Sequence, residues 1–194
     1  QKEIIGRDEH RALNLKAARQ SLVLLRNDDG LLPLNEDEPR KLALIGTNAD
    51  HPQNQLGDWA GGSGQVGWIK DGHPRECTTT LLDGLRERLP DGWSLDYAAG
   101  CPIREVDESG IPEAVEAVRA ADLAVVVVGD DIKLTGETRS TATLELQGSQ
   151  PKLLEEIRKT GKPVILVVLS GKPQVLPRDW QSHGTLVQAF NPGM

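Results

Sequence analysis

The chain has 194 residues, 38% hydrophobic and 26% charged, with a formal net charge of −7. That is enough apolar material for one packed domain with some extra length. The acidic balance excludes the basic footprint a nucleic-acid partner needs, and it gives no polybasic membrane patch. No apolar run approaches the roughly 18 residues of a membrane-spanning helix.

The chain opens on "QKEIIGRDEHRAL" without Met and without a visible signal peptide, and it reads as a piece of a longer protein. Residues 8–26 are expected as a helix, with Asp8 available to cap its start, running into a short apolar segment. "NDDGLLPLNEDEPR" is a turn-rich connector. We expect residues 1–38 to be a leader with no strand of its own, docked on a domain spanning residues 39–194.

From Lys41 strands and helices alternate. "KLALIGT" is a short apolar strand ending at a glycine. Residues 78–89 hold Leu81, Leu82, Leu85 and Leu89 at helical spacing. Residues 93–98 read as a strand, and residues 111–122 as a helix with Pro112 near its start, where a missing N–H costs nothing. "LAVVVVGD" at 123–130 is a β-branched run of the kind buried on both faces. Residues 149–161 are a helix closed by Gly161, 162–171 a second buried strand and 184–190 a third, shorter one. The alternation predicts a three-layer α/β/α sandwich around a mostly parallel sheet. The last strand runs directly into "NPGM", so the sequence reads as ending before its domain does.

Ligands of such sheets sit at the carboxyl ends of the strands. Those ends are Gly46–Asp50, Gly129–Asp131, Ser170–Lys172 and Asn191–Gly193. Long loops leave from two of them, at 47–77 and 130–148, and loops of that length at such an edge usually carry function.

The chemistry of those loops excludes several classes. "GTNADHPQ" after the first strand lacks the glycine fingerprint of a dinucleotide site, and no Walker lysine is present. "GGSGQVG" at 61–67 lies deep in an insert rather than between a strand and a helix. Lys172-Pro173 fits a phospho-receiver, but the first strand ends on Asn48 and Asp50 and not on an acid pair. His10, His51, His73 and His183 are scattered, Cys77 and Cys101 lack metal-ligand spacing, and no metal or cofactor is expected. In a domain of this size the two thiols are expected to stay unpaired.

Two features remain. The insert "NQLGDWAGGSGQVGW" places Asp58, Trp59 and Trp68 among glycines, where an aromatic face can stack on a sugar ring or a base, or anchor the loop. The stretch "GETRSTATLEL" offers Glu137 and Glu145 as candidate general acids, with Arg139 beside the first and Asp130 and Asp131 at the strand end. Residue types alone leave open which of them acts and whether any does.

Five ordered segments carry a resemblance: "SLVLLRNDDGLLPL", "LALIGTNADHPQNQLGDWAG", "VVVVGDD…GETRSTATLELQGSQ", "TGKPVILVVLSGKPQVL" and "QAFNPGM". From about residue 10 onward the chain resembles the second domain of glycoside hydrolase family 3, best known from bacterial β-glucosidases. The resemblance implies a retaining β-glycosidase that works through two carboxylates. It implies that the nucleophile lies on an N-terminal (β/α)₈ barrel outside this chain and that Glu137 is the acid/base. It also implies that Trp59 lines the leaving-sugar subsite, with Asp58, Trp68 and Arg139 as further substrate-binding residues. The partners would be a carbohydrate and that barrel, with no nucleic acid or membrane. The compartment, periplasm or cytoplasm, stays open. Three positions depart from the family pattern. Asp130 stands where Glu is common, Ser140–Thr143 replace an Asp-Arg pair, and Gln147 replaces a proline. The rival reading is a non-catalytic carbohydrate-binding or regulatory module, which would use the tryptophans and not Glu137.

Overall fold

The computed structural model describes residues 4–37, 40–57, 75–182 and 184–192, with Cys77 described by its backbone alone. Its centre is a six-stranded sheet in the order β1-β6-β5-β4-β2-β3. The strands are β1 (Val23–Asn27), β2 (Lys41–Ile45), β3 (Ser94–Ala98), β4 (Leu123–Gly129), β5 (Val164–Leu169) and β6 (Thr185–Gln188). The pairs β2–β3, β2–β4, β4–β5 and β5–β6 are parallel, and β1 alone runs antiparallel, against β6. The expected α/β/α sandwich with a mostly parallel sheet is what forms.

The apolar runs of β4 and β5 behave as two-sided strands should. Ala124, Val126 and Val128 of β4 face one layer together with Leu166 and Val168 of β5. Leu123, Val125 and Val127 face the other with Ile165 and Leu169. The first face is covered by α4 (Ile111–Ala120) and α5 (Gln150–Arg158). In α4 the buried residues are Ile111, Ala114, Val115 and Val118, one stripe at helical spacing. The second face is covered by α3 (Leu81–Arg88), through Leu81, Leu82 and Leu85, and by Leu31, Leu32 and Leu34 of the connector. Each fully buried aliphatic side chain contributes roughly 1.5–3 kcal/mol, so these two layers hold the sheet rigid beneath its loops. A capping box starts α3: Thr80 accepts from the Asp83 N–H, and the Asp83 side chain accepts from the Thr80 N–H.

The leader departs from expectation. Helix α1 (Asp8–Ser21) stops at Ser21, and none of its residues is buried. Residues 23–27, expected to carry no strand, form β1. Three apolar residues followed by Arg26 and Asn27 show no period of their own. They extend because the edge of β6 offers unpaired backbone groups, a tertiary influence that local pattern does not contain. Side chains reinforce the pairing. Arg26 donates to the carbonyls of Trp180 and Gln181, and Asn27 Oδ1 accepts from Thr185 Oγ1 at 3.0 Å.

Candidate functional site

The chain passes from β2 to β3 on one side of the sheet and then crosses back to β4 on the other. Neighbouring loops part at the carboxyl ends of β2 and β4, the place where a doubly wound sheet opens a crevice. Both strands end on glycines that no other residue could replace without displacement. Gly46 has φ +119°, and a Cβ there would sit 2.1 Å from the Val127 carbonyl oxygen; Gly129 has φ +143°, and its Cβ would sit 2.0 Å from the Leu169 oxygen.

Beyond those glycines, buried amides stitch the strand ends together. Asn48 donates to the Asp130 carbonyl at 3.0 Å, and Asn54, on the short helix α2 (Pro52–Leu56), donates to Asn48 Oδ1 at 2.8 Å. Asn54 Oδ1 accepts from the Ile132 N–H, and the Asn54 carbonyl accepts from Asn191 Nδ2 at 3.1 Å. Residues following β2, β4 and β6 therefore form one hydrogen-bonded platform. Gly57 closes against it: a Cβ there would come within 2.7 Å of the Asn191 side chain. At the far end of the insert, Arg75 pairs with Asp50 at 2.6 Å and with Asp83 at 2.7 Å. Both described flanks of residues 58–74 are thus tied to the carboxyl edge. Asp58, Trp59 and Trp68 themselves lie outside the described residues.

The loop after β4 is held at several points. Asp131 pairs with Arg104 at 2.6 Å, and that hydrogen bond raises the arginine's pKa. Asp130 is buried and its Oδ2 accepts from Ser170 Oγ at 2.8 Å and Gln174 Nε2 at 2.6 Å. Lys172 Nζ donates to Thr141 Oγ1 at 2.9 Å and to the Leu134 carbonyl at 3.4 Å, and lies 3.5 Å from Asp130 Oδ2. At the loop's end the buried Gln150 side chain accepts from the Gly129 N–H and donates to the carbonyls of Gly129, Ile103 and Gln147.

These contacts separate the candidate carboxylates. Asp130 is committed to the protein interior. Glu145 is exposed, and its backbone bridges to Val175. It lines a small cleft with Leu146, Pro151, Val175 and Leu176. Glu137 is exposed and makes no hydrogen bond or ion pair with the described residues. It lies in a turn closed by the Arg139 N–H to the Gly136 carbonyl, 3.2 Å, with Thr138 at φ +65°. A β-branched residue rarely takes that conformation, and such strain persists only where the surroundings impose it, often at functional loops. Gly136, Arg139, Ser140 and Thr141 line a cleft of about 540 Å³ shared with Gly171, Lys172 and Asn191. The Arg139 Nη1 is buried and has no hydrogen-bond partner among the described residues.

The model of the glycosyl hydrolase family 3 C-terminal domain matches residues 22–194. The chain belongs to that family. It is 38% identical over 192 residues to a β-xylosidase of Formosa agariphila, covering 97% of this chain and 25% of that protein. It is 30% identical to a lysosomal β-glucosidase of Dictyostelium discoideum, covering 98% of this chain and 23% of that protein. Among solved structures, a β-glucosidase involved in saponin metabolism from intestinal bacteria superposes with a TM-score of 0.90 at 40% identity, covering all of this chain and 31% of that one. The β-glucosidase of Listeria innocua in complex with isofagomine superposes with a TM-score of 0.78 at 28% identity, covering 97% and 24%. The chain thus spans about a quarter of the curated relatives it matches.

The family 3 match begins one residue before β1, in keeping with that strand's place in the sheet. Among the described residues no cluster of His, Cys, Asp or Glu is set to hold a metal ion. Cys101 carries a free, buried thiol, and burial pushes its pKa up to about 11. Reading the sequence missed Asn54, Gln150 and Gln174. Their types say "polar surface", and only their burial or their hydrogen bonds reveal that they organise this family 3 domain's loops.

Proposed function

We propose that this chain is the acid/base-bearing part of a retaining, exo-acting β-glycosidase, with its nucleophile on an N-terminal barrel outside the chain. In that chemistry one carboxylate attacks the anomeric carbon while the other protonates the departing oxygen, the two lying about 5–5.5 Å apart. The second group then takes a proton from water as the glycosyl-enzyme intermediate hydrolyses. Glu137 is assigned the second role. The observation that carries this reading is its placement. Among the described residues its carboxylate, like that of Glu145, is unengaged, and it directly follows Gly136, which lines the cleft together with Lys172 and Asn191. Asp130 is buried and bonded, and Glu145 faces a different cleft.

Burial and a like charge nearby are what tune a carboxyl group for general-acid work. Glu137 is exposed in this chain, so both would come from the barrel and its nucleophile. Trp59, with Asp58 and Trp68, is assigned to the leaving-group side. It follows by two residues Gly57, which packs on Asn191 at the same edge. Arg139, which lines that cleft, is a further substrate contact. Relatives named as β-glucosidases and β-xylosidases support a terminal β-linked glucose or xylose as the sugar removed.

The test is Glu137→Ala in the full-length protein. Turnover of substrates with poor leaving groups should fall about 10²- to 10⁴-fold, the usual worth of a general acid. Substrates with good leaving groups should retain the glycosylation step, and azide should restore their turnover. An unchanged rate on poor leaving groups would remove Glu137 from the role.

A further inference from the structure

We propose that Lys172 is a positioning residue for Glu137; this rests on the reading of Glu137 as the acid/base. Lys172 directly follows Gly171 at the carboxyl end of β5, and a Cβ on Gly171 would stand 2.8 Å from Asn191 Oδ1. The backbone here is therefore pressed against the amide platform, and the lysine leaves from a fixed point. Its ammonium has three protons and three oxygens within reach. One belongs to Asp130, at the end of β4. The other two, the Leu134 carbonyl and Thr141 Oγ1, lie three residues before Glu137 and four residues after it. One cation, three-quarters buried, thus joins the rigid sheet to both flanks of the turn that carries the acid.

The arrangement points to positioning in addition to supplying Asp130 with a counter-charge at 3.5 Å. Asp130 Oδ2 already accepts from Ser170 and Gln174, so its hydrogen bonds are made without the lysine. What the lysine alone supplies is the tie to residues 134 and 141. Losing that tie releases both flanks of the turn, and a misplacement of about 1 Å of a catalytic group can cost about 10²-fold in rate.

The experiment uses the full-length protein and a pair of aryl β-glycosides of one sugar, one with a dinitrophenol and one with an unsubstituted phenol as leaving group. Lys172→Met keeps the stem and removes the charge. It should lower kcat/KM on the phenyl glycoside about 10- to 100-fold and leave the dinitrophenyl glycoside within a few-fold. Lys172→Arg should regain part of the loss. Thr141→Val removes the hydroxyl that Lys172 reaches while leaving Lys172 and Asp130 in place. It should show the same selectivity more weakly, and it decides the matter if Lys172→Met does not fold. Glu137→Ala is measured beside them. If it shows the selective loss and the Lys172 variant slows both substrates equally, or neither, the positioning role is overturned alone. If Glu137→Ala shows no selectivity, the assignment of the acid has failed, and the role of Lys172 falls with it.

Discussion

Gln150 shows how much one side chain can settle at this edge. It is buried; its Oε1 accepts from the Gly129 N–H, and its two amide protons are shared among the carbonyls of Gly129, Ile103 and Gln147. Gly129 is the last residue of β4, paired with Leu169 and held at φ +143°, and the glutamine supplies partners for its N–H and its carbonyl. Replacing Gln150 with Ala would strand several buried polar groups, each costing about 1–3 kcal/mol. We expect a loss of about 3 kcal/mol or more in denaturant unfolding, and a loss under about 1 kcal/mol would mean that water takes over the contacts. In sequence, Gln150 is one glutamine in "LELQGSQ". Its place at a fixed step from the apolar pair Leu144 and Leu146 is legible, but its burial is not. The same holds for Asn48 and Asn54. A polar residue is buried only where its partners converge, and those partners come from strands far apart in the chain.

Among the elements, the short helix α2 links the platform to the insert that bears the tryptophans. Its start is capped by His51, whose Nδ1 accepts from the Asn54 N–H at 3.2 Å. Burial holds the His51 pKa below its ordinary 6.5, against the raising effect of its own backbone hydrogen bond and of the carboxylates of Asp131 and Asp50. A histidine depressed in the folded state contributes stability that is complete above its unfolded pKa and lost as the pH falls through the folded value. Protonation also turns Nδ1 from acceptor to donor, which breaks the cap. On acidification below 6.5, amide protection at residues 54–57, corrected for intrinsic exchange, should drop by about fivefold, the worth of a cap near 1 kcal/mol. In His51→Ala it should be low at every pH. Protection that is flat with pH in the unmodified protein would show that the cap does not hold this helix. The edge strand β1 carries the opposite lesson about elements: its strand state comes from β6, and its own residues do not announce it.

For the molecule as a whole, the proposed reaction needs two carboxylates and this chain offers one of them. The isolated chain should therefore hydrolyse an aryl β-glucoside no faster than buffer does, even where it folds. Measurable, saturable turnover by the chain alone would contradict the two-part site. The architecture itself was open to reading from the chain. Two-sided aliphatic runs such as "LAVVVVG" can be satisfied only inside a covered sheet, and helices with Pro in the first turn and one apolar stripe supply the cover. Those signals are local and strong because each is written within 7 to 10 consecutive residues.

The sequence by itself determined the sandwich, the strand-end edge at which such sheets place their ligands and the five ordered segments that resemble family 3. It offered a few carboxylates on one loop as candidate proton donors. The resemblance picked Glu137 among them, and only the tertiary structure shows how differently their surroundings hold them. Asp130 is drawn inward by Ser170 and Gln174, Glu145 is turned to another cleft, and Glu137 stands free between the two points that Lys172 grips. The physical reason is that burial and charge pairing depend on groups 31 to 44 residues away along the chain, which no local pattern encodes.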